Sequence, residues 1–295
     1  MASLTRKMAG LLAESRLMTA GRTLYRQNET NWDLPMSRIG KLKAGGYIIL
    51  RDYADGLFPP KFEDQQKAYD AEKEYCVTLP GMDSERLRMV GMQKPFWSAK
   101  ALRSFMGDFI RLAGHFADLG IRPRSRILEL GCGKGWMAEA LAQMGYDVLG
   151  TTLAEMDVEH AGSRIAALRA KGVPNRLEFL ACPMESADQA VRDRPPFDLV
   201  FIYEALHHAY DWRAALTAAA GCLRPGGWLV LGNEPNLLHT LVSYRVARLS
   251  NTHEVGMSRR EIRRHLLSCG FDQVRILNRR PGFLVVPHWI AARKA

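Results

Sequence analysis

The order of apolar and polar positions changes character along the chain. From about residue 123, short apolar runs alternate with longer stretches whose apolar residues recur at three and four residue steps. The runs are RILEL (126–130), DVLG (147–150), LEFLA (177–181), FDLVFIY (197–203) and WLVLG (228–232). Consecutive apolar positions of this length suit strands covered on both faces, with the helical stretches between them as crossovers. The pattern predicts a parallel α/β sheet with helices on both faces.

The crossover helices are WMAEALAQM (136–144), residues 155–171 and WRAALTAAAGCL (212–223), the last with Asp211 as N-cap and RPGG as its stop. Ser258 and Glu261 have capping-box spacing before IRRHLLSCG, with Gly270 as terminator. FDQVRIL reads as a further strand, and FLVVPHWIAARK can supply the closing one. Upstream, Leu102, Phe105, Met106, Phe109, Ile110, Ala113 and Phe116 repeat at helical steps after Ser98 and stop near Gly120, a stripe expected to be core.

Residues 1–97 are more mixed. They hold a basic helix, the strand-like YIILRDY, a turn at FPP and the charged helix FEDQQKAYDAEKEY, without an internal repeat. They are expected to form an accessory cap, with the catalytic domain over 98–295 and an acceptor-side insertion at 235–257.

Composition narrows the class. A chain of 295 residues, 47% hydrophobic and 24% charged, is that of a globular protein with one sizeable core and an appendage. Its five scattered cysteines offer neither zinc spacing nor a disulfide framework, so a reducing cytoplasm and no metal are expected. No run approaches the roughly 18 apolar residues of a spanning helix. The first segment, MASLTRKMAGLLAESRLMTAGRTLYRQ, is basic and amphipathic, compatible with organelle targeting or a membrane surface. The simpler expectation is a helix packed on its own protein.

Charge is unevenly spread. Of the net +10, residues 245–295 carry 11 basic and 3 acidic side chains, whereas 123–244 carry 11 and 14. The cluster SRREIRRH could attract an anion, nucleic acid or lipid headgroups, but no interleaved aromatics mark an RNA-binding module. A solvated helix face is the simpler account.

The chemistry begins at ILELGCGKGWMAEAL (127–141), where an apolar strand turns through three alternate glycines into a helix. Such an elbow presents free backbone N–H groups and a partial positive charge to an accepting or anionic ligand. A dinucleotide fingerprint would need glycine where Trp136 stands, and an acid closing the second strand.

ELGCGKG resembles the first motif of the class I S-adenosylmethionine-dependent methyltransferases, with Glu129 as the acid before the glycines. FDLVFIYEALHHAYDW, LRPGGWLVLGNEPN and SRREIRRHLLSCGFDQVRIL follow in the family's order. The resemblance covers about residues 97–295. It implies a Rossmann-like, seven-stranded, mostly parallel sheet carrying S-adenosylmethionine at its C-terminal edge, methyl transfer, and S-adenosylhomocysteine as product. It also implies that Glu129 helps hold the methionine ammonium, while Gly131, Cys132, Gly133 and Gly135 line the cofactor with Thr151, Thr152, Met184 and Tyr203.

Two positions depart from the family. Thr152 stands where most members close the second strand with an acid for the ribose hydroxyls, and Pro183 where an acid often meets adenine. A subset including cyclopropane fatty acid synthase-like enzymes takes the ribose contact from the next helix, which here falls on Asp157. Met184 can offer its backbone N–H to the ring.

EALHHAY occupies the acceptor end of the fourth strand and brings Glu204, His207 and His208. A histidine there can take a proton near neutrality, and adjacent positions cannot both face one acceptor. Where cyclopropane-forming relatives carry a bicarbonate-binding glutamate, His207 stands, which argues against that chemistry. Glu234 and His253 are further candidates to contact the acceptor.

The expected function is O-methylation of a small molecule, with the cap and the insertion shaping the pocket. An anionic or lipid-like acceptor suits the basic C-terminal end, and no DNA partner is expected. RNA or protein methylation and a catalytically inactive S-adenosylmethionine-binding scaffold are the competing readings; the oligomeric state is left open.

Overall fold

The computed structural model describes residues 2–173, 176–278 and 285–295, with only the backbone of Ala2, Ser3 and Arg88. Packing groups them into two units, one of residues 88–234, 258–278 and 287–295, the other of 2–87, 235–257 and 285–286. The sequence reading drew the border at residue 97 and kept 235–257 with the C-terminal part.

The larger unit is built on seven strands: β1 Arg126–Leu130, β2 Asp147–Thr152, β3 Leu177–Ala181, β4 Phe197–Tyr203, β5 Leu223–Glu234, β6 Phe271–Ile276 and β7 His288–Lys294. Their order is β3-β2-β1-β4-β5-β7-β6, parallel except for β7, which runs antiparallel to β5 and β6. Ile127, Leu128, Glu129 and Leu130 of β1 are all buried, as a strand sandwiched between helix layers requires. On one face, Phe109, Leu112 and Phe116 of the helix Ala99–Asp118 pack with Ile127, Phe201 and Trp289.

The caps read from sequence divide. Ser98 accepts from the Ala101 N–H at 3.1 Å, and Asp211 accepts from those of Arg213 (2.8 Å) and Ala214 (3.3 Å). Ser258 precedes the helix Arg259–Ser268 but makes no side-chain capping bond. RPGG stops the helix Trp212–Cys222 yet lies within β5, where Gly226 has φ 73° and the register to β4 shifts between Phe197 and Leu199. Phe283 and Leu284 of the expected closing segment lie outside the described residues.

In the smaller unit, YIILRDY is helical, within Arg38–Ala54, and not a strand. β-branched residues favoured a strand locally, but Ala44, Tyr47 and Ile48 share one helical face in a core with Tyr25, Tyr244 and Ala247. The helix starts where Ser37 caps the Gly40 N–H at 3.0 Å. Its Gly45 lets the helix Thr240–Ser250 approach so closely that a Cβ would collide with the Leu241 carbonyl. Asp52, fully buried, joins the two helices by accepting from the Tyr244 hydroxyl at 2.9 Å beside Arg51 and Arg248. Among the described residues no helix is long and apolar enough to cross a membrane.

Candidate active site

β1 leaves the sheet through Gly131 (φ 75°), Cys132, Gly133 (φ 50°), Lys134 and Gly135 (φ 74°), the last capping the helix Trp136–Gln143. Left-handed backbone explains the glycines, and their surroundings differ. A Cβ on Gly131 would stand 2.5 Å from that of Ala205, and one on Gly135 would strike the Phe179 ring. At Gly133 the same atom would meet open space. Of the three, Gly133 is the one whose surroundings leave room for a ligand.

The neighbouring polar groups tie the elbow to β2. The Cys132 N–H donates to the Thr151 carbonyl at 2.8 Å, and the Thr151 hydroxyl donates to the Glu129 carbonyl at 3.3 Å. The Thr152 carbonyl accepts from the Cys182 N–H at 2.9 Å. Thr151, wholly buried, therefore acts inside the sheet, and burial pushes the Cys132 thiol well above its ordinary range.

Glu129 points from β1 into the elbow with only 4% of its surface exposed, and its Oε2 has no hydrogen-bond partner. Burial pushes its carboxyl up to about 8, although Lys94, the Ala138 N–H and Arg164 pull the other way. A buried carboxylate oxygen without a donor is costly, and a cationic or donating ligand group would remove that cost. Asp157, in the first turn of the helix Glu155–Ala170, lies 3.8 Å from Lys134 Nζ of the elbow. Burial raises its carboxyl also, with Lys134 opposing. Met184 reaches the elbow from beyond β3, its methyl within 3.4 Å of where a Gly131 side chain would begin.

At the ends of β4 and β5 the structure places the residues that the sequence singled out, and gives Glu234 a task the sequence did not assign. Glu234 is fully buried and accepts from the N–H groups of Ala205 (2.9 Å), Leu206 (3.0 Å) and His207 (3.3 Å), and from His207 Nδ1 at 2.9 Å. Burial alone would raise its carboxyl, but the His207 and backbone hydrogen bonds hold it below the ordinary value. With every oxygen engaged by its own chain, Glu234 is the anchor of the His207 turn and not a free acceptor contact. An ionised carboxylate only accepts, so Nδ1 carries a proton, and Nε2 is the ring nitrogen that Glu234 leaves unengaged. The His208 ring lies 4.3 Å from that of His207, centroid to centroid.

Tyr203, expected at the cofactor, packs in the sheet core against Trp289 and donates to Asp108 Oδ2 at 2.9 Å. Glu204 follows with φ 48° and accepts from Asn233 Nδ2 at 2.7 Å; Asn233 has φ 57°. Left-handed non-glycine residues are uncommon, and here one just past the end of β4 is bonded to another near the end of β5. Burial raises the Glu204 carboxyl, with Lys94 and His207 opposing. His253 belongs to the smaller unit, where its Nδ1 lies 3.5 Å from Glu72 and its ring stands edge-on to Phe62.

Three residues were missed. Lys94, the cation facing both Glu129 and Glu204, sits in a loop without periodicity, its ammonium 4.3 Å from the Phe105 ring centroid. Asp108 was hidden in a stripe read for its apolar positions. Asn233 carried the one usable signal, as an amide residue at a strand end that tolerates left-handed backbone.

Comparison with known proteins bears on this geometry. A family profile described as a methyltransferase domain matches residues 128–231. A ubiquinone biosynthesis O-methyltransferase of Bordetella avium (strain 197N) is 36% identical over 104 residues, 35% of this chain and 40% of the relative. That of Sinorhizobium medicae (strain WSM419) is 33% identical over 126 residues, 40% of this chain and 46% of the relative. The chain thus spans less than half the length of these curated relatives. The crystal structure of magnesium protoporphyrin IX methyltransferase from Synechocystis PCC 6803 with bound SAM superposes with a TM-score of 0.51 at 17% identity, over 80% of this chain and 99% of that one. At that identity the likeness shows the fold, and the fold agrees with the strand order found here. The matched profile, the ELGCGKG elbow and the seven-stranded sheet agree on one reading: residues 128–231 carry a match to a methyltransferase domain, set within a sheet of the methyltransferase fold.

Proposed function

We propose that this chain transfers a methyl group from S-adenosylmethionine to a hydroxyl oxygen of a small molecule, with His207 as general base. The observation that carries the reading is the pair His207 Nδ1 to Glu234 at 2.9 Å, on a turn whose backbone amides the same carboxylate holds. The names of the ubiquinone biosynthesis O-methyltransferases support oxygen as the methylated atom.

The residues of the elbow fit the methyl donor. Glu129 offers an unpartnered buried oxygen to its ammonium, and the chain at Gly133 has room for close backbone contact. Asp157 supplies a carboxylate beside the elbow to ribose hydroxyls, in place of the acid absent at Thr152. Met184 borders the site from the third strand, whereas the hydroxyls of Thr151 and Tyr203 are already bonded within the fold. When bound, S-adenosylmethionine supplies an electrophilic methyl on a sulfonium.

His207 takes the acceptor's hydroxyl proton on Nε2 as the oxygen attacks, and Glu234 stabilises the resulting imidazolium through Nδ1. Glu234 also prevents the ring from adopting the tautomer with its proton on Nε2. A base positioned in this way contributes about 10²- to 10⁴-fold. The test is transfer of labelled methyl from S-adenosylmethionine into fractionated cell extract and into a panel of phenols, for the parent protein and for His207→Ala. Loss of transfer with unchanged S-adenosylmethionine affinity is expected; full activity in the variant would remove His207 from the mechanism. Failure of both S-adenosylmethionine and S-adenosylhomocysteine to bind in calorimetry would reject the whole reading in favour of an inert scaffold.

A further inference from the structure

The first helix, Ala2–Ala13, is oriented against the usual rule. Its small residues Ala9 and Ala13 are buried, at 8% and 1% exposure, while Leu4, Met8 and Leu11 stand 65%, 62% and 68% exposed. At 3.6 residues per turn these three lie within about 60° of one another, on the side opposite the alanines. Nearby, Leu17 and Ile39 are 79% and 65% exposed, and both border an apolar hollow of about 270 Å³ that Met18, Gly21, Leu42, Lys43 and Gly46 complete.

Scattered surface leucines need no explanation, but a row of them with a hollow beside it does. The charges around it say what covers it. Residues 2–46 hold eight basic and three acidic side chains, and Lys7, Arg16, Arg38 and Lys43 are exposed among the apolar ones. A second copy of this surface would set like charges against each other, whereas an anionic headgroup layer complements them.

We propose that this face docks on an anionic lipid bilayer. The helix Ala2–Ala13 lies in the plane of the interface, with Leu4, Met8 and Leu11 among the upper acyl carbons and the basic side chains at the headgroups. The alanine side keeps the helix fixed to the rest of its unit, so docking requires no unfolding. The proposal concerns the smaller unit alone and does not depend on the methyl-transfer reading.

Vesicle flotation tests it, with phosphatidylcholine alone and with phosphatidylcholine mixed with phosphatidylglycerol. The full chain is expected to float with the anionic vesicles at low salt, weakly with neutral ones, and less as salt rises. Leu4→Ser with Leu11→Ser, at positions that touch solvent and not the core, is expected to lower binding about tenfold or more with an unchanged thermal melt. Lys7→Glu with Lys43→Glu is expected to abolish the preference for the anionic lipid. The proposal is overturned if the parent chain fails to float at low salt, or if the serine variant floats equally well. A dimer in sedimentation that the serine variant dissolves would also overturn it, by assigning the face to a second copy.

Discussion

Replacing Glu234 by Gln tests the His207 assignment without removing the histidine. The carboxylate serves two groups of donors: Oε1 takes the Ala205 and Leu206 amides, and Oε2 takes the amide and Nδ1 of His207. An amide has one oxygen. If that oxygen stays with Ala205 and Leu206, the new NH₂ faces two donors of His207, and relief comes only if the ring moves its proton to Nε2. The nitrogen meant to accept a proton is then already protonated. The expected kcat loss is about 10²- to 10⁴-fold, the scale of general-base assistance. The unpaired His207 amide costs about 1–3 kcal/mol of stability. Initial rates of labelled-methyl transfer across pH, S-adenosylmethionine titration by calorimetry and a thermal melt separate the effects. Glu234→Gln with parental kcat and an unaltered pH profile would refute the tautomer argument, even if the variant melted lower.

Other outcomes follow from the same geometry. Because the Glu234 carboxyl is held below its ordinary value, its contribution to stability is present at neutral pH and disappears as pH falls below about 4.5; a melt series for parent and Glu234→Gln should converge in acid. Glu129 runs the other way: its carboxyl is raised to about 8, so the free protein loses stability between the unfolded value and about 8 as pH rises. Binding S-adenosylmethionine near neutrality should release a proton, seen as a buffer-dependent heat that Glu129→Gln abolishes. Asp157→Ala should weaken S-adenosylmethionine binding by about 1–3 kcal/mol, and unchanged affinity would remove its ribose role. Gly131→Ala should lower the melting temperature, since its Cβ would meet Ala205 at 2.5 Å on left-handed backbone; an unchanged melt would contradict the close approach.

Much of the larger unit was legible because the central strands β1, β4 and β5 carry continuous apolar runs and the helices after Ser98, Gly135 and Asp211 open at a capping side chain or a glycine. FDLVFIY is β4 from end to end, and LEFLA is β3. The smaller unit was not, because YIILRDY has strand propensity and becomes helical only through Tyr25, Tyr244 and the close approach at Gly45, contacts distant in sequence. At the site, sequence found residue types and missed pairings. His207 and Glu234 were both named, but that one holds the other depends on how β4 and β5 align, with Tyr203 beside Gly232. Lys94 and Asp108 sit in a loop and on a helix remote in sequence from the glycine elbow and the strand ends, where no periodic pattern marks them.

The left-handed pair at Glu204 and Asn233 bears on how this site can change over generations. Either position accepts few replacements alone: most side chains would strain the backbone, and a change of chemistry would strand the partner inside the fold. The two should therefore drift together, as compensating exchanges among residues that tolerate positive φ. Relatives that alter one and keep the other should be rare, and a library randomised at both should be enriched for matched pairs even when screened for folding alone.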